Sequence, residues 1–301
     1  GPVPQRQASP RGPAGPDRLP RRDPPRFLIP LMGAPGRAAA ATAARMPVLF
    51  VGHGSPMNAI EDNTWSRGFR ELAGLLPRPR AVLAVSAHWY VPGTFLTGDL
   101  RPETIHDFGG FPPALYAMQY SAPGDPDLAQ RVLRLVGEDR AALRTDWGLD
   151  HGTWSVLVHL LPRADVPVVQ LSLDYRLPAA AHLEIGRALA PLREEGVLLL
   201  GSGNIVHNLR HAFASQHRGE TATPDWAAGF DRDVAQALEQ HDGGFLARSV
   251  ESDTGRMAHP TPDHYLPLLY AAGASDAHDA LRFPVTGFDM TSLSMRAVLF
   301  G

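Results

Sequence analysis

Short apolar runs rich in β-branched residues alternate along the chain with longer stretches whose apolar positions recur every three to four residues. This is the sequence form of an α/β sheet covered on both faces, because a strand buried on both sides reads as a continuous apolar run rather than an alternating one. Pro47 to Val51 predicts a first strand emptying into GHGSP, and Trp65 to Leu76 predicts a helix ended by Pro77. Ala81 to Ser86 predicts a second strand, Asp127 to Gly137 an amphipathic helix, and Trp154 to Leu161 another helix. Val166 to Leu173 and Val197 to Gly201 predict strands flanking a helix over Ala179 to Glu194. A helix follows from Trp226 to Gln240, and a further one ends near Gly273, with Thr261 as N-cap and Pro262 at its first position. Phe283 to Phe300 alternates well enough for two last strands. Short connections favour right-handed crossovers and one continuous sheet. Ile105 to Pro113 lacks a period and is dense in glycine and proline, so it is a loop. The chain carries no internal repeat.

Residues 1–45 break the pattern. They hold ten prolines and eight arginines against two acids, and end in an alanine-rich run. Without apolar periodicity such a segment cannot offset its ordering entropy, so a disordered or extended tail is expected, with the catalytic domain over 46–301. That domain carries 20 arginines against 29 acidic residues, a net charge of about −9, which argues against nucleic acid or an anionic membrane as partner. No run approaches the ~20 apolar residues that a bilayer requires. A soluble, cytoplasmic protein, monomeric or a small homo-oligomer, is the expectation.

Composition removes several mechanisms. The chain has no cysteine, and all 28 basic residues are arginine. Thiolate nucleophiles, disulfides, iron–sulfur clusters and thiolate-bound zinc are excluded, as are Schiff-base chemistry and a P-loop lysine. No GxSxG elbow and no GxGxxG fingerprint occurs, which leaves Ser55 and Ser202 without the context of a hydrolase nucleophile.

Histidine is the chemistry that remains. His53 in VGHGSP, His88 in VSAHW, His207 in GSGNIVHN and His264 in HPTPDHY fall where a strand ends or a helix begins. An open α/β sheet presents its ligand crevice at such strand ends, so these four are read as a metal site. His151 lies in a similar glycine-flanked setting. His159, His182, His211, His217, His241 and His278 sit in helical or polar surroundings and read as surface or packing residues, while His106 and His259 are kept as supporting residues. Trp89, Tyr90, Phe108 and Phe111 are aromatics able to pack a flat organic ring.

In the blocks GHGSPMNAIEDN, AVSAHW, TIHDFGGFP, DHGTWSVL, GSGNIVHNLR, HPTPDHYLPLLYAAGA and SLSMRAV the chain resembles the 4,5-DOPA extradiol dioxygenases, the DODA-type branch of the class III extradiol ring-cleavage dioxygenases. The blocks span nearly all of Met46 to Gly301. The resemblance implies a single α/β domain with a central mixed sheet flanked by helices on both faces. It implies His53, His88, His207 and His264 around one divalent metal, Zn2+ or Fe2+, with three binding directly and His207 the one displaced toward substrate. His151 is then the acid–base residue. Class III sites resemble a two-histidine, one-carboxylate triad; here either a histidine fills the third position or Asp107, Asp150 or Asp263 approaches it. The implied reaction is cleavage of an L-DOPA-like catechol by O2. A zinc-dependent hydrolase, which three imidazoles and a bound water would serve, and a non-enzymatic scaffold are the alternatives.

Overall fold

The computed structural model describes residues 45–301; the expected tail over 1–45 therefore lies almost wholly outside the described residues. The first half comprises β1 (Val48–Gly52), α1 (Thr64–Ala73), β2 (Ala81–Val91), β3 (Thr94–Thr97), α2 (Pro113–Tyr116), α3 (Pro126–Val136), β4 (Ala141–Arg144) and α4 (His151–Leu160). The second half comprises β5 (Val168–Asp174), α5 (Ala179–Leu189), β6 (Val197–Gly203), α6 (Leu209–His217), α7 (Asp225–Glu239), α8 (Gly243–Ser249), α9 (Asp253–Ala258) and α10 (Leu266–Ala274). Four short strands close the chain: β7 (Leu281–Arg282), β8 (Phe288–Asp289), β9 (Leu293–Ser294) and β10 (Ala297–Phe300).

Among the described residues eight strands form one sheet in the order β4-β3-β5-β2-β6-β1-β10-β7. Its centre, β5-β2-β6-β1, is parallel; β10 and β3 join it antiparallel, so the sheet is mixed, as expected. Alternate residues of β1 serve two separate cores. Val48 and Phe50 pack with α3, α5, α7 and α10, whereas Leu49 and Val51 pack with α1 and α4. Both faces are thus covered, and this is why the strands read as unbroken apolar runs.

Several boundaries differ from expectation. The second strand runs past Ser86 to Val91 through an irregular register between Val85 and Tyr90, so His88 sits within β2 rather than beyond it. Thr261 makes no side-chain cap; Pro262–His264 is a single 3-10 turn, and α10 starts only at Leu266. The C-terminal segment splits into more and shorter strands than two. β8 and β9 pair with each other outside the main sheet, while β10 pairs with β1 in register Val48 with Phe300.

Candidate metal centre

The carboxyl ends of β1, β2 and β6 converge with the first residue of α4 and the turn before α10. His53 follows β1 and extends the ladder by one bond, its N–H donating to Gly203 O at 2.9 Å. Asn58 then donates to His53 O at 3.1 Å, and the His159 ring bonds Asn58 O at 2.7 Å, so His159, expected only to pack, braces the His53 loop. His264 is held by its backbone: Asn204 N donates to its carbonyl at 2.9 Å, and a Cβ on Gly203 would stand 2.1 Å from that oxygen. Gly152 performs the same service on the other side. A Cβ there would lie 2.4 Å from Ser86 Oγ and 2.9 Å from His88 Cδ2, so only glycine lets α4 come this near β2.

His53 and His264 are anchored through Nδ1, and the Nδ1 atoms of His88 and His151 face Asp107. Ser202 Oγ donates to Gly152 O at 2.5 Å and must therefore accept from His53 Nδ1–H at 2.9 Å. His88 Nδ1 and His151 Nδ1 lie 3.3 and 3.0 Å from the same oxygen, Asp107 Oδ2, and His264 Nδ1 lies 2.5 Å from Asp263 Oδ2. Asp107 Oδ1 also accepts the His151 backbone N–H at 2.9 Å. With Nδ1 of His53 and His264 so engaged, their Nε2 atoms are the ones left for a ligand.

Nε2 of His53 and Nε2 of His88 are 3.2 Å apart. Ligand nitrogens of His53, His88 and His151 all fall within 4.8 Å of one another, a group that could hold a metal ion. The donor set fits a divalent cation, and the rings are in the binding form. Burial, reinforced by neighbouring imidazoles, lowers His53 and His264 well below the usual histidine range. Burial and His151 take His88 down to about 3 against the opposing pull of Asp107, and burial with His259 takes His207 to about 4. Asp107 would rise through burial, but hydrogen bonding and charge from His151 bring it to about 2, so it stays an anion behind two imidazoles.

The carboxylates do not fill a ligand position. Asp107 and Asp263 stand behind the imidazoles, and buried Asp150 caps α4 while accepting from Ser86 Oγ at 2.6 Å and from Gln170. His207 lies flat on His264, ring centroids 3.4 Å apart and planes 3° apart. The five histidines floor a cleft of about 360 Å³, walled by Phe108, Phe111, Leu209, Phe213, Met290 and Leu293.

A model of the catalytic LigB subunit of aromatic ring-opening dioxygenases matches residues 47–296. The chain belongs to this family. It is 48% identical to the 4,5-DOPA dioxygenase extradiol of Escherichia coli K12 over 86% of its own length and 96% of that protein, and 38% identical to the enzyme of the same name from Beta vulgaris, over 75% and 85%. A solved structure of an uncharacterized protein of Escherichia coli K12 superposes with a TM-score of 0.74 at 43% identity, covering 85% of this chain and all of the other. The molecule is an extradiol dioxygenase, which sets aside the hydrolase and scaffold alternatives. No helix among the described residues is long and apolar enough to cross a membrane.

In this dioxygenase two of the aromatics expected at the substrate are elsewhere. Trp89 is buried in a stack on Trp147, and Tyr90 packs on Tyr175 in a different cavity; both follow His88 in a strand and point where the pleat sends them. Phe108 and Phe111 do line the cleft. His106 bonds Met118 O at 2.9 Å within an aromatic cluster, and His259 bonds Ile205 O at 2.7 Å, bracing the loop that carries His207. Ser202, Leu209, Phe213 and Met290 were not foreseen as site residues; only Ser202, set between two strand-end glycines, carried any local signal.

Proposed function

We propose that the dioxygenase opens the ring of a catechol beside its hydroxyl-bearing carbons, with one divalent metal held by His53, His88 and His264. The supporting observation is a triangle of rings: centroids are 5.1 Å apart for His53 and His88, 5.2 Å for His53 and His264, and 5.0 Å for His88 and His264. An imidazole centroid stands roughly 3.2 Å from an ion bound at ~2.1 Å, so three such rings in tetrahedral array lie about 5.2 Å apart. His151 breaks that rule, being 3.8 Å from the His88 ring, which is too close for both to ligate one ion. His207, stacked on His264, is likewise displaced to the substrate side.

When bound, Fe2+ would supply positions for catechol and O2 together with the electron transfer that activates both; Zn2+ fits the same ligands but is redox-inert. The chain supplies the rest. His151, held by Asp107 and with Nε2 free, takes the catechol proton and returns one at ring opening. Phe108, edge-on to His151 at 5.5 Å, excludes water from that transfer.

The test is anaerobic loading with Fe2+, followed by oxygen uptake and formation of a yellow ring-opened product across a panel of catechols that includes L-DOPA. Uptake that stops with a chelator is expected. Absence of uptake on every catechol would sink the reading.

A further inference from the structure

The four central parallel strands hold one side-chain amide, Gln170 of β5, in a run whose seven residues are all buried. It pairs with Ala84 of β2, on the sheet face that α4 covers. Burying an amide costs free energy unless its oxygen and nitrogen are both bonded. Here they are, and every side-chain bond goes to the first turn of α4 or its cap. Gln170 Oε1 accepts from Thr153 Oγ1 at 2.8 Å and from the Asp150 backbone N–H at 3.3 Å, while Nε2 donates to Asp150 Oδ2. A backbone N–H can only donate, so the atom facing it is the amide oxygen.

Asp150 extends this hold to β2. Its Oδ1 accepts from Ser86 Oγ at 2.6 Å and from Thr153 N–H at 3.2 Å, so the start of α4 is pinned to two adjacent strands at once. Apolar packing of α4 on the sheet is non-directional and tolerates a slide along the strands. These bonds do not, because they weaken steeply once distance or angle is lost. His151 is the next residue, and its ring stands 3.8 Å from that of His88, which lies two residues beyond Ser86. Ser172, two residues further along β5, gives the contrast. It is equally buried, but it bonds Gly93 O and the Phe95 N–H, away from the imidazoles.

We propose that Gln170 is a positioning residue for ring cleavage, acting through Asp150 to set where the His151 imidazole stands against His88; the inference rests on the ring-cleavage reading above. Gln170 does not line the cleft, so it acts only through the residues it bonds. A misplacement of about 1 Å at a reacting group costs on the order of 10²-fold in rate. Stability alone would be served as well by an apolar pair of the same shape in place of Gln170 and Asp150.

Three variants test it. Gln170→Met fills the space without the bonds, and Gln170→Glu sets two carboxylates against each other. Asp150→Asn combined with Gln170→Glu exchanges carboxylate and amide, so that every donor again faces an acceptor. Each full chain, loaded anaerobically with Fe2+, is measured for metal content, for kcat and KM on a catechol that the wild type turns over, and for the absorption of bound 4-nitrocatechol, whose colour reports its ionisation. Both single variants should keep metal content and KM within about twofold and lose kcat on the order of 10²-fold, with the bound probe less ionised than on the wild type. The exchange should regain at least about tenfold in kcat, together with the wild-type spectrum. Unchanged kcat or an unchanged probe spectrum in Gln170→Met, a loss of metal or a rise in KM in step with the loss of kcat, or an exchange that regains nothing overturns the proposal. If the wild type opens no catechol while the probe spectra differ as expected, the ring-cleavage reading falls and the placement of His151 by Gln170 stands.

Discussion

The two ends of β1 and β6 bury polar groups to opposite effect. At the amino end Arg193, 1% exposed, donates from Nε to Met46 O at 2.7 Å, from Nη1 to Ala274 O at 3.1 Å, and through both Nη atoms to Asp279 at 2.6 Å each. Burial alone would raise the Asp279 carboxyl, yet the Arg193 hydrogen bonds hold it below its ordinary value. A charge this fully paired closes the bottom of the sheet. At the carboxyl end His53 and His264 are buried as well, but their bonds to Ser202 and Asp263 engage Nδ1 alone. A free nitrogen is not by itself a site, for His182 Nε2 and His259 Nδ1 are also buried without a partner. What distinguishes the carboxyl end is that ring nitrogens of His53, His88 and His151 converge, all within 4.8 Å of one another.

The contrast fails if the two ends respond alike to mutation. His53→Ala should lower metal content to background and turnover at least about 10³-fold, the several kcal/mol that a bound cation supplies, while the thermal midpoint of metal-free protein stays near wild type. Arg193→Met should do the reverse. Leaving Asp279 buried without its partner costs about 3–5 kcal/mol, on the order of 10 °C in melting temperature for a domain of this size, with metal stoichiometry unchanged. Calorimetric melting and metal analysis of both variants decide it; a large stability loss in the metal-free His53 variant would break the comparison.

A smaller effect sharpens it. Ser202 touches no ligand position but fixes which nitrogen of His53 carries the proton. Ser202→Ala should weaken metal affinity by about 10–100-fold and regain turnover at saturating metal, read as a shift in the metal concentration for half-maximal activity. If turnover were lost at all metal concentrations, Ser202 would act on more than the His53 tautomer.

The central strands and the long helices were legible because burial on both faces leaves apolar runs and because α3 and α7 repeat their apolar face every three to four residues. So was His53, since GHG marks the turn at the carboxyl end of β1. The edge strands β3 and β4 were not. They are four residues each, and β4 has exposed positions, so neither reads as an apolar run. Nor could the local pattern tell ligand from proton carrier: His88 and His151 share one carboxylate from 44 residues before His151, and the ring distances that separate their proposed roles are set by tertiary packing at Gly152. The cleft wall was illegible for a related reason. Leu209 and Phe213 on α6 look like core positions until the fold leaves them outside.

The smallest expected effect concerns a buried histidine away from the site. His182 packs between α5 and α10, its Nδ1 3.0 Å from the Tyr270 hydroxyl, and burial lowers its pKa to about 4. His207 and His259 are lowered to about 4 as well. An unfolded chain takes up these protons near pH ~6.5, so between pH 6.5 and 4 it binds more protons than the folded protein. Stability is then complete above pH ~6.5 and falls as pH falls through that window. Asp150 works the other way: burial, with the Asp107 charge adding, pushes it up to about 6, so the folded state gains its proton first and gains stability from about pH 6 downward. These histidines, with His53, His88 and His264 lowered as well, outweigh the one carboxyl and leave a net loss on acidification. In chelator-treated protein His182→Gln removes one histidine from that balance and should flatten the slope near pH 5 by about 1.4 kcal/mol per pH unit, measured from urea midpoints at pH 5 and 7. An unchanged slope would mean that His182 is already protonated in the fold, and that burial at the centre of α5 does not impose the neutrality which the imidazoles at the strand ends require.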